Sequence, residues 1–83
     1  MALERLRKAS KKVAGQKQAL RAIKNGEAKV VLIARDAERH VIEPVVKEGS
    51  ERQVEVIEVD NMVSLGKACG IKVKAAVAAI LEE

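Results

Sequence analysis

The chain has 83 residues, of which 48% are hydrophobic, and a net charge of +4. This length suits one small domain, so we expect residues 1–83 to form a single domain. Phe, Trp and Tyr are absent, which argues against a protein that stacks single-stranded bases on aromatic rings. With one cysteine and one histidine, a disulfide is excluded and a zinc-type metal site has too few ligands.

Charge and hydropathy also limit the location and the partners. No apolar run approaches the roughly 20 residues of a membrane helix, and the amino terminus has no apolar signal core. We therefore expect a cytoplasmic protein without a membrane partner. Residues 1–29 hold nine basic and two acidic side chains, whereas residues 30–83 hold seven basic and ten acidic ones. This asymmetry suggests a surface that faces a polyanion, with a solvated helix face as an equally common explanation.

The amino-terminal third is predicted to form two helices. Apolar or small residues recur at spacings of three and four over residues 3–13, which predicts an amphipathic helix that ends at Gly15. Helical spacing continues through Leu20 to the stop signal Asn25-Gly26. Next, the apolar run Lys29–Ala34 predicts a strand that is buried on both faces.

The middle of the chain is predicted to contain a helix and a second strand. Asp36 could cap the helical segment, and Pro44 should open a helix or kink one. We place the main helix at about Pro44–Arg52, with Val45 and Val46 inward. The β-branched residues of Val54–Val59 then predict a strand.

The carboxyl-terminal part contains a short helix and an ambiguous apolar segment. Asp60 or Asn61 should cap a helix that Gly70 stops, and one face of this helix carries Met62, Leu65 and Cys69. The alanines of the segment Ala75–Leu81 favour a helix locally, yet a buried strand is also consistent with its apolar character. The alternation of helices and strands indicates an α/β/α sandwich with a central, partly parallel sheet.

Catalysis finds little support in the sequence. His40 is the only base available to Ser10, Ser50 and Ser64, and a surface or capping role explains it better. Neither a Walker A loop nor a GxGxxG fingerprint is present, so we expect no nucleotide cofactor and no enzyme. Cys69 is predicted to be a small buried thiol.

Two segments instead have the composition of a phosphate-binding surface. If a helix begins after Gly15, then Lys17, Gln18 and Arg21 fall in its first two turns, at the positive end of the helix dipole. Long cations and an amide suit purine edges and phosphates, although an ordinary polar helix face explains them slightly better when taken alone. In the second segment, Gly66 and Gly70 bracket Lys67, and glycine permits positive φ or close backbone approach.

Taken together, GQKQALRAIKNG (Gly15–Gly26) and LGKACGIKVKAA (Leu65–Ala76) resemble the two signature stretches of the kink-turn RNA-binding ribosomal-protein family, the L-seven-Ae family. The closest resemblance is to its small bacterial members, the YbxF-like proteins. The similarity extends over essentially the whole chain, including the stretch Ala34–Ala37. It implies a three-layer α/β/α sandwich with a mixed, mostly four-stranded sheet, whose extra strand would lie near Lys11–Gly15 or Gln16.

The resemblance also implies a function, namely binding of the bent kink-turn at its tandem sheared G·A pairs. The family motif commonly reads G-x-N-E-x-x-K, so Lys17 takes the Asn position, Gln18 the Glu position and Arg21 the Lys position. As a neutral acceptor, Gln18 should bind guanine N–H groups more weakly than a carboxylate does. Lys17 is purely a donor and suits guanine O6, N7 or a phosphate.

The second signature implies a loop over the flipped-out nucleotide of the kink. Lys74 stands where many relatives have proline, and a solvated lysine is an equally common explanation for it. The RNA-binding residues expected from both signatures are Gly15, Gln16, Lys17, Gln18, Arg21, Lys24, Lys67, Ile71, Lys72 and Val73.

The main hypothesis is therefore a monomeric, non-enzymatic protein without cofactors that binds kink-turns in structured RNA, with ribosomal RNA as one candidate. One alternative is a ribosome-associated protein-interaction module. Another is a detached recognition domain that works beside an RNA-modifying enzyme. Binding through phosphates should weaken steeply with salt, which separates the main hypothesis from the interaction module.

Overall fold

The structure is a computed structural model that describes residues 2–83. Helices and strands alternate along most of the chain. In chain order they are α1 (Ala2–Lys8), β1 (Lys11–Ala14), α2 (Gln16–Lys24), β2 (Val30–Ala34), α3 (Arg39–Glu51), β3 (Glu55–Val59), α4 (Met62–Ala68) and β4 (Val77–Glu82).

The four strands form one mixed sheet in the order β1-β4-β2-β3. Strand β2 runs parallel to β3, whereas β4 runs antiparallel to both of its neighbours, β1 and β2. The ambiguous segment Ala75–Leu81 is thus a strand from Val77 onwards. Its residues 77–80 are all buried, because β4 lies inside the sheet with helices on both faces, and this burial outweighs the local helix preference of alanine.

Helices cover both faces of the sheet, which confirms the predicted α/β/α sandwich. On one face, Leu6 of α1 and Leu65 of α4 pack against Leu32 and Ile80 of the sheet. The other face holds a second cluster, contributed by α2, α3 and the alternate residues of β2 and β4: Ala19, Ile23, Val31, Ile33, Val45, Val77 and Ala79. Alternation along each strand therefore divides the core into two layers.

The predicted first helix was wrong in its length. Helix α1 ends at Lys8, and residues 11–14 form the edge strand β1, which confirms the extra strand implied by the resemblance. The Lys12 ammonium donates hydrogen bonds to the carbonyl oxygens of Leu6 (3.3 Å) and Arg7 (2.9 Å). These bonds satisfy carbonyls at the end of α1 that have no partner within the helix, so the chain can turn into β1.

Helix α3 also differs from the prediction, because it begins at Arg39 and continues through Pro44. Proline removes one helical hydrogen bond, but Pro44 is exposed, so water can replace that bond for the freed carbonyl of His40. Val45 is buried and Val46 is half-buried, as expected of inward side chains.

The predicted cap at Asp36 serves a different helix. Its Oδ1 accepts a hydrogen bond from the backbone N–H of Met62 at 2.9 Å, so Asp36 stabilises the start of α4 and not that of α3. Asn61 caps the same helix by accepting from the Ser64 N–H at 2.7 Å, and the chain leaves it at Gly70 with φ +80°. Both predicted ends of α4 are thereby confirmed.

Candidate functional site

The two signature segments lie at the same end of the sheet. Gly15, which precedes α2, donates its N–H to the carbonyl oxygen of Val77 at the start of β4 (2.8 Å). On the other side of β4, Ala34 donates to the carbonyl oxygen of Ala76 (2.9 Å). The start of α2, the end of β2 and the loop of residues 70–76 therefore meet there. We call this region the loop end of the sheet and the other side the opposite end.

Gly15 is needed for its backbone conformation. Its φ of +102° and ψ of 152° lie in a region that is essentially restricted to glycine. A Cβ built at Gly15 would meet nothing within 4 Å, so space is not the constraint. The first N–H groups of α2 have no partners within the helix, and Gly15 has no side chain that could cap them. This helix terminus is therefore open to an anionic or acceptor group.

One exposed face of α2 is basic. Lys17, Arg21 and Lys24 are spaced by four and three residues, so they lie on one side of the helix, and all three are exposed. The other side is buried through Ala19 and Ile23. Lys17 and Arg21 are near the loop end, whereas Lys24 is the last residue of α2 and lies at the opposite end. Gln18, also exposed, lies in the first turn.

Gln16 is positioned differently from its neighbours. Its side-chain amide Nε2 donates a hydrogen bond to the carbonyl oxygen of Val41, 2.9 Å away in the first turn of α3, and the side chain is half-buried. Gln16 thus links the first turns of α2 and α3. This link could not be predicted from the sequence, because it depends on how the two helices pack.

The loop of residues 70–76 lies directly against α4, and Gly66 makes this possible. A Cβ at Gly66 would collide with the carbonyl oxygen of Val73 and would lie 3.1 Å from the Cα of Lys74. Ile71 donates its N–H to the carbonyl oxygen of Gly66 (3.2 Å), and Ala75 donates to that of Met62 (3.0 Å). The predicted close approach at Gly66 therefore occurs, and the backbone that approaches it is that of Val73 and Lys74 in the same protein.

The exposed surface of this region combines apolar and basic side chains. Within residues 3–83, the large hydrophobic side chains that are exposed are Val63 (54%), Ile71 (37%) and Val73 (69%). All three belong to α4 or to the loop beside it, together with the exposed cations Lys67, Lys72 and Lys74. Sequence analysis missed Val63, which follows the cap of α4 and carries no motif.

The cations of the candidate site differ from many other cations of the protein in their ion pairing. Arg5, Arg35 and Arg52 form salt bridges of 2.6–3.2 Å with glutamates, and longer pairs involve Arg7, Lys8 and Arg39. Across the described residues, no acidic group lies within 4.0 Å of the cations predicted to bind RNA, nor of Lys74: Lys17, Arg21, Lys24, Lys67, Lys72 and Lys74. Their charges remain available for an external anion.

The structure offers little for a reaction centre. Burial raises the pKa of the Cys69 thiol above its usual value, and the Lys12 ammonium only partly opposes this shift, so the group is not an activated nucleophile. Among the described residues, no three His, Cys, Asp or Glu side chains are placed to hold a metal ion. None of the helices in residues 2–83 has the length and apolar character needed to cross a membrane.

Comparisons with known proteins agree with this geometry. The model of the Ribosomal protein L7Ae/L30e/S12e/Gadd45 family matches residues 1–83. The chain is 48% identical over 81 residues to RNA-binding protein YbxF of Geobacillus stearothermophilus, an alignment that covers 98% of this chain and 99% of the relative. It is 44% identical over 80 residues to an RNA-binding protein of Halalkalibacterium halodurans, with 96% and 98% covered.

The fold is also similar to that of a solved structure, the 15.5kD RNA binding protein of Giardia lamblia. The two superimpose with a TM-score of 0.88 at 24% identity, over 99% of this chain and 72% of the other. At that identity the similarity supports the fold alone. The family match over all 83 residues and the relatives of nearly equal length establish that the chain belongs to the L7Ae/L30e/S12e/Gadd45 family of ribosomal proteins.

Proposed function

We propose that this chain is a non-enzymatic, cytoplasmic RNA-binding protein that recognises kink-turns in structured RNA as a monomeric single domain. The observation that carries the proposal is the convergence, at the loop end, of exposed cations on α2 and on the 70–76 loop that have no acidic partner in the described part of the chain. Unneutralised cations attract the phosphate backbone, which dominates affinity for nucleic acids. Relatives that bear the name RNA-binding protein support the same class of partner.

Residues of α2 would read the tandem sheared G·A pairs. Lys17 and Arg21 share one exposed face and supply donors for guanine O6 and N7, while the oxygen of Gln18 accepts from guanine N–H groups. The glycine-only conformation of Gly15 leaves open space before the helix, so an RNA edge can approach the free N–H groups. Gln16 would support this surface through α3, since its amide is already bonded to Val41.

The loop would contact the nucleotide that the kink extrudes. Ile71 and Val73 present exposed aliphatic surface, which can cover a base in a protein without aromatic residues. Lys67 and Lys72 would bind the neighbouring phosphates, and Lys24 would bind phosphates farther along α2. The bent RNA concentrates phosphate charge, so a protein that binds it better than the extended form increases its population.

The proposal is tested by titrating the protein against a kink-turn RNA and against a copy whose tandem G·A pairs are replaced by Watson–Crick pairs. We expect tight binding to the first RNA and only weak, salt-sensitive binding to the second. Equal affinity for both RNAs would show a merely basic protein and would overturn kink-turn recognition.

A protein-docking function is the second candidate, and one observation favours it. Val63, Ile71 and Val73 are all exposed, in α4 or in the loop that packs against it, and exposed apolar side chains also occur at protein interfaces. This function predicts that a Val63→Lys substitution abolishes binding of the protein partner. Loss of G·A discrimination in the wild-type titration would move this candidate ahead.

A further inference from the structure

Three lysines lie together at the opposite end of the sheet, away from the 70–76 loop. Lys24 ends α2, and the chain then folds back beneath the helix, since the N–H groups of Glu27 and Ala28 both donate to the carbonyl oxygen of Ala22 (2.9 and 3.2 Å). Lys29 immediately precedes β2 and donates its N–H to the carbonyl oxygen of Ile80 (2.8 Å).

Lys11 completes this group from the edge of the sheet. It begins β1 and pairs with Glu82 of β4, so Lys11 and Lys29 flank the end of β4 on its two sides. Two strand spacings separate their backbones by about 10 Å. We call Lys11, Lys24 and Lys29 the far lysines. Helix α2 has nine residues, so the far lysines begin about 12 Å along its axis from the start of the candidate site.

The charges of the far lysines are not neutralised within the described residues. All three are exposed, and no carboxylate lies within 4.0 Å of any of them. Two other cations at this end form salt bridges with glutamates: Arg5 contacts Glu83 at 2.6 Å, and Arg52 contacts Glu48 at 2.7 Å.

Two acidic residues lie near the far lysines, namely Glu82 as the cross-strand partner of Lys11 and Glu27 between Lys24 and Lys29 in the sequence. Glu82 accepts a hydrogen bond from the Ser10 hydroxyl (3.3 Å), and Glu27 is exposed. Neither forms a salt bridge among the described residues.

We propose that the far lysines form a second phosphate-binding surface, which holds the backbone of a stem that flanks the kink. The inference rests on the proposed function and extends its footprint from the bend into regular duplex. Lys17, Arg21 and Lys24 follow one face of α2, so the basic surface continues from the G·A-reading end to Lys29 and Lys11. A stem that leaves the kink along α2 would place its phosphates over this line.

The chemistry of the far lysines favours RNA over a protein partner. A lysine is a point charge with three donors, which suits phosphate oxygens and carries no sequence information. No large hydrophobic side chain in residues 3–83 is exposed at this end, because those that are exposed belong to α4 and its loop. A protein interface usually has an apolar centre, and none is present here.

The experiment compares two kink-turn RNAs that differ in the length of their flanking stems, one with long stems and one cut to a few base pairs. The variant carries both Lys11→Gln and Lys29→Gln. The matched control is Lys47→Gln, because Lys47 of α3 is also exposed and has no acidic partner within residues 2–83. For the long-stem RNA, the slope of log affinity against log salt is negative, and we expect its magnitude to decrease by about 2, one for each lost phosphate contact.

The double variant should bind the short-stem RNA as the wild type does, and Lys47→Gln should change neither slope. An equal loss on both RNAs, an unchanged slope on the long-stem RNA, or the same loss in Lys47→Gln would each overturn the inference. Wild-type binding to the RNA without G·A pairs is measured in parallel, so failure of kink-turn recognition is distinguished from failure of the second surface.

Discussion

The two halves of the candidate site hold their functional groups by different means. The α2 half is a regular helix, in which Lys17 and Arg21 share a face because of their spacing, and only Gly15 has an unusual backbone conformation. The loop half has no regular structure, and its course is defined by contact between its backbone and Gly66. The helix half is thus specified locally, whereas the loop half is specified by tertiary packing.

This difference has a consequence for substitutions. A change on the exposed face of α2 removes one side chain and leaves the helix in place, so it should affect binding without affecting folding. A change that adds volume at Gly66 displaces the backbone of Val73 and Lys74, because those atoms occupy the position of the new Cβ. The loop half should therefore lose stability and binding together.

The largest effect is expected for Gly66→Ala. The new methyl group would collide with the Val73 carbonyl, which is backbone and cannot move aside as a flexible side chain would. We expect the free energy of unfolding to fall by about 1–3 kcal/mol. The measurement is chemical denaturation followed by circular dichroism, combined with titration of kink-turn RNA.

Gly15→Ala is the matched control, because the same methyl group is added at a glycine whose surroundings are open. Here the cost arises only from the backbone conformation that favours glycine and should be about 1–3 kcal/mol. The 70–76 loop should keep its conformation in this variant, as reported by the amide resonances of Ile71 and Val73. If Gly66→Ala left these resonances and the stability unchanged, the close contact would not hold the loop.

An intermediate effect is expected for Arg21→Ala, and it should appear in binding alone. Arg21 is exposed and has no acidic partner within the described residues, so its removal should leave the free energy of unfolding within about 0.5 kcal/mol of the wild type. A lost bidentate contact to a purine should cost about 1–3 kcal/mol in affinity for kink-turn RNA. Lys47→Ala is the control, and unchanged affinity of Arg21→Ala would contradict the role of Arg21 in the proposed interface.

The sequence predicted most of what depends on local chemistry. The stop at Asn25-Gly26, the buried strand β2 and the cap at Asp60 or Asn61, which the structure places at Asn61, were all confirmed, because each follows from residue preferences over a few positions. The two signature segments were also found from the sequence, since glycines and cations at fixed spacing are visible without a structure.

Several features that depend on distant residues did not follow from the local sequence pattern, although the resemblance to the family implied the extra strand near Lys11–Gly15. The pattern of residues 3–13 suited one helix, and it ended early because β1 gains a partner in β4, which lies at the other end of the chain. Helix α3 continued through Pro44 because that residue faces solvent, which the sequence alone did not reveal. The capping of α4 by Asp36 and the contact of Gly66 with Val73 likewise join segments that are separated along the chain.

The smallest effect is expected for a substitution of Gln16. This residue tests the contrast between the α2 half and the loop half, because its bond to Val41 makes the α2 half depend on tertiary contact as well. In Gln16→Met the side chain keeps its length and helix preference but cannot donate to the Val41 carbonyl. We expect a loss of about 0.5–1.5 kcal/mol in stability and a lower ratio of kink-turn to control affinity. Hydrogen exchange in the RNA-free protein separates positioning from direct contact. Faster exchange in the first turns of α2 and α3 would indicate that Gln16 acts by linking the helices, whereas weaker RNA binding with unchanged exchange would indicate that Gln16 contacts the RNA itself.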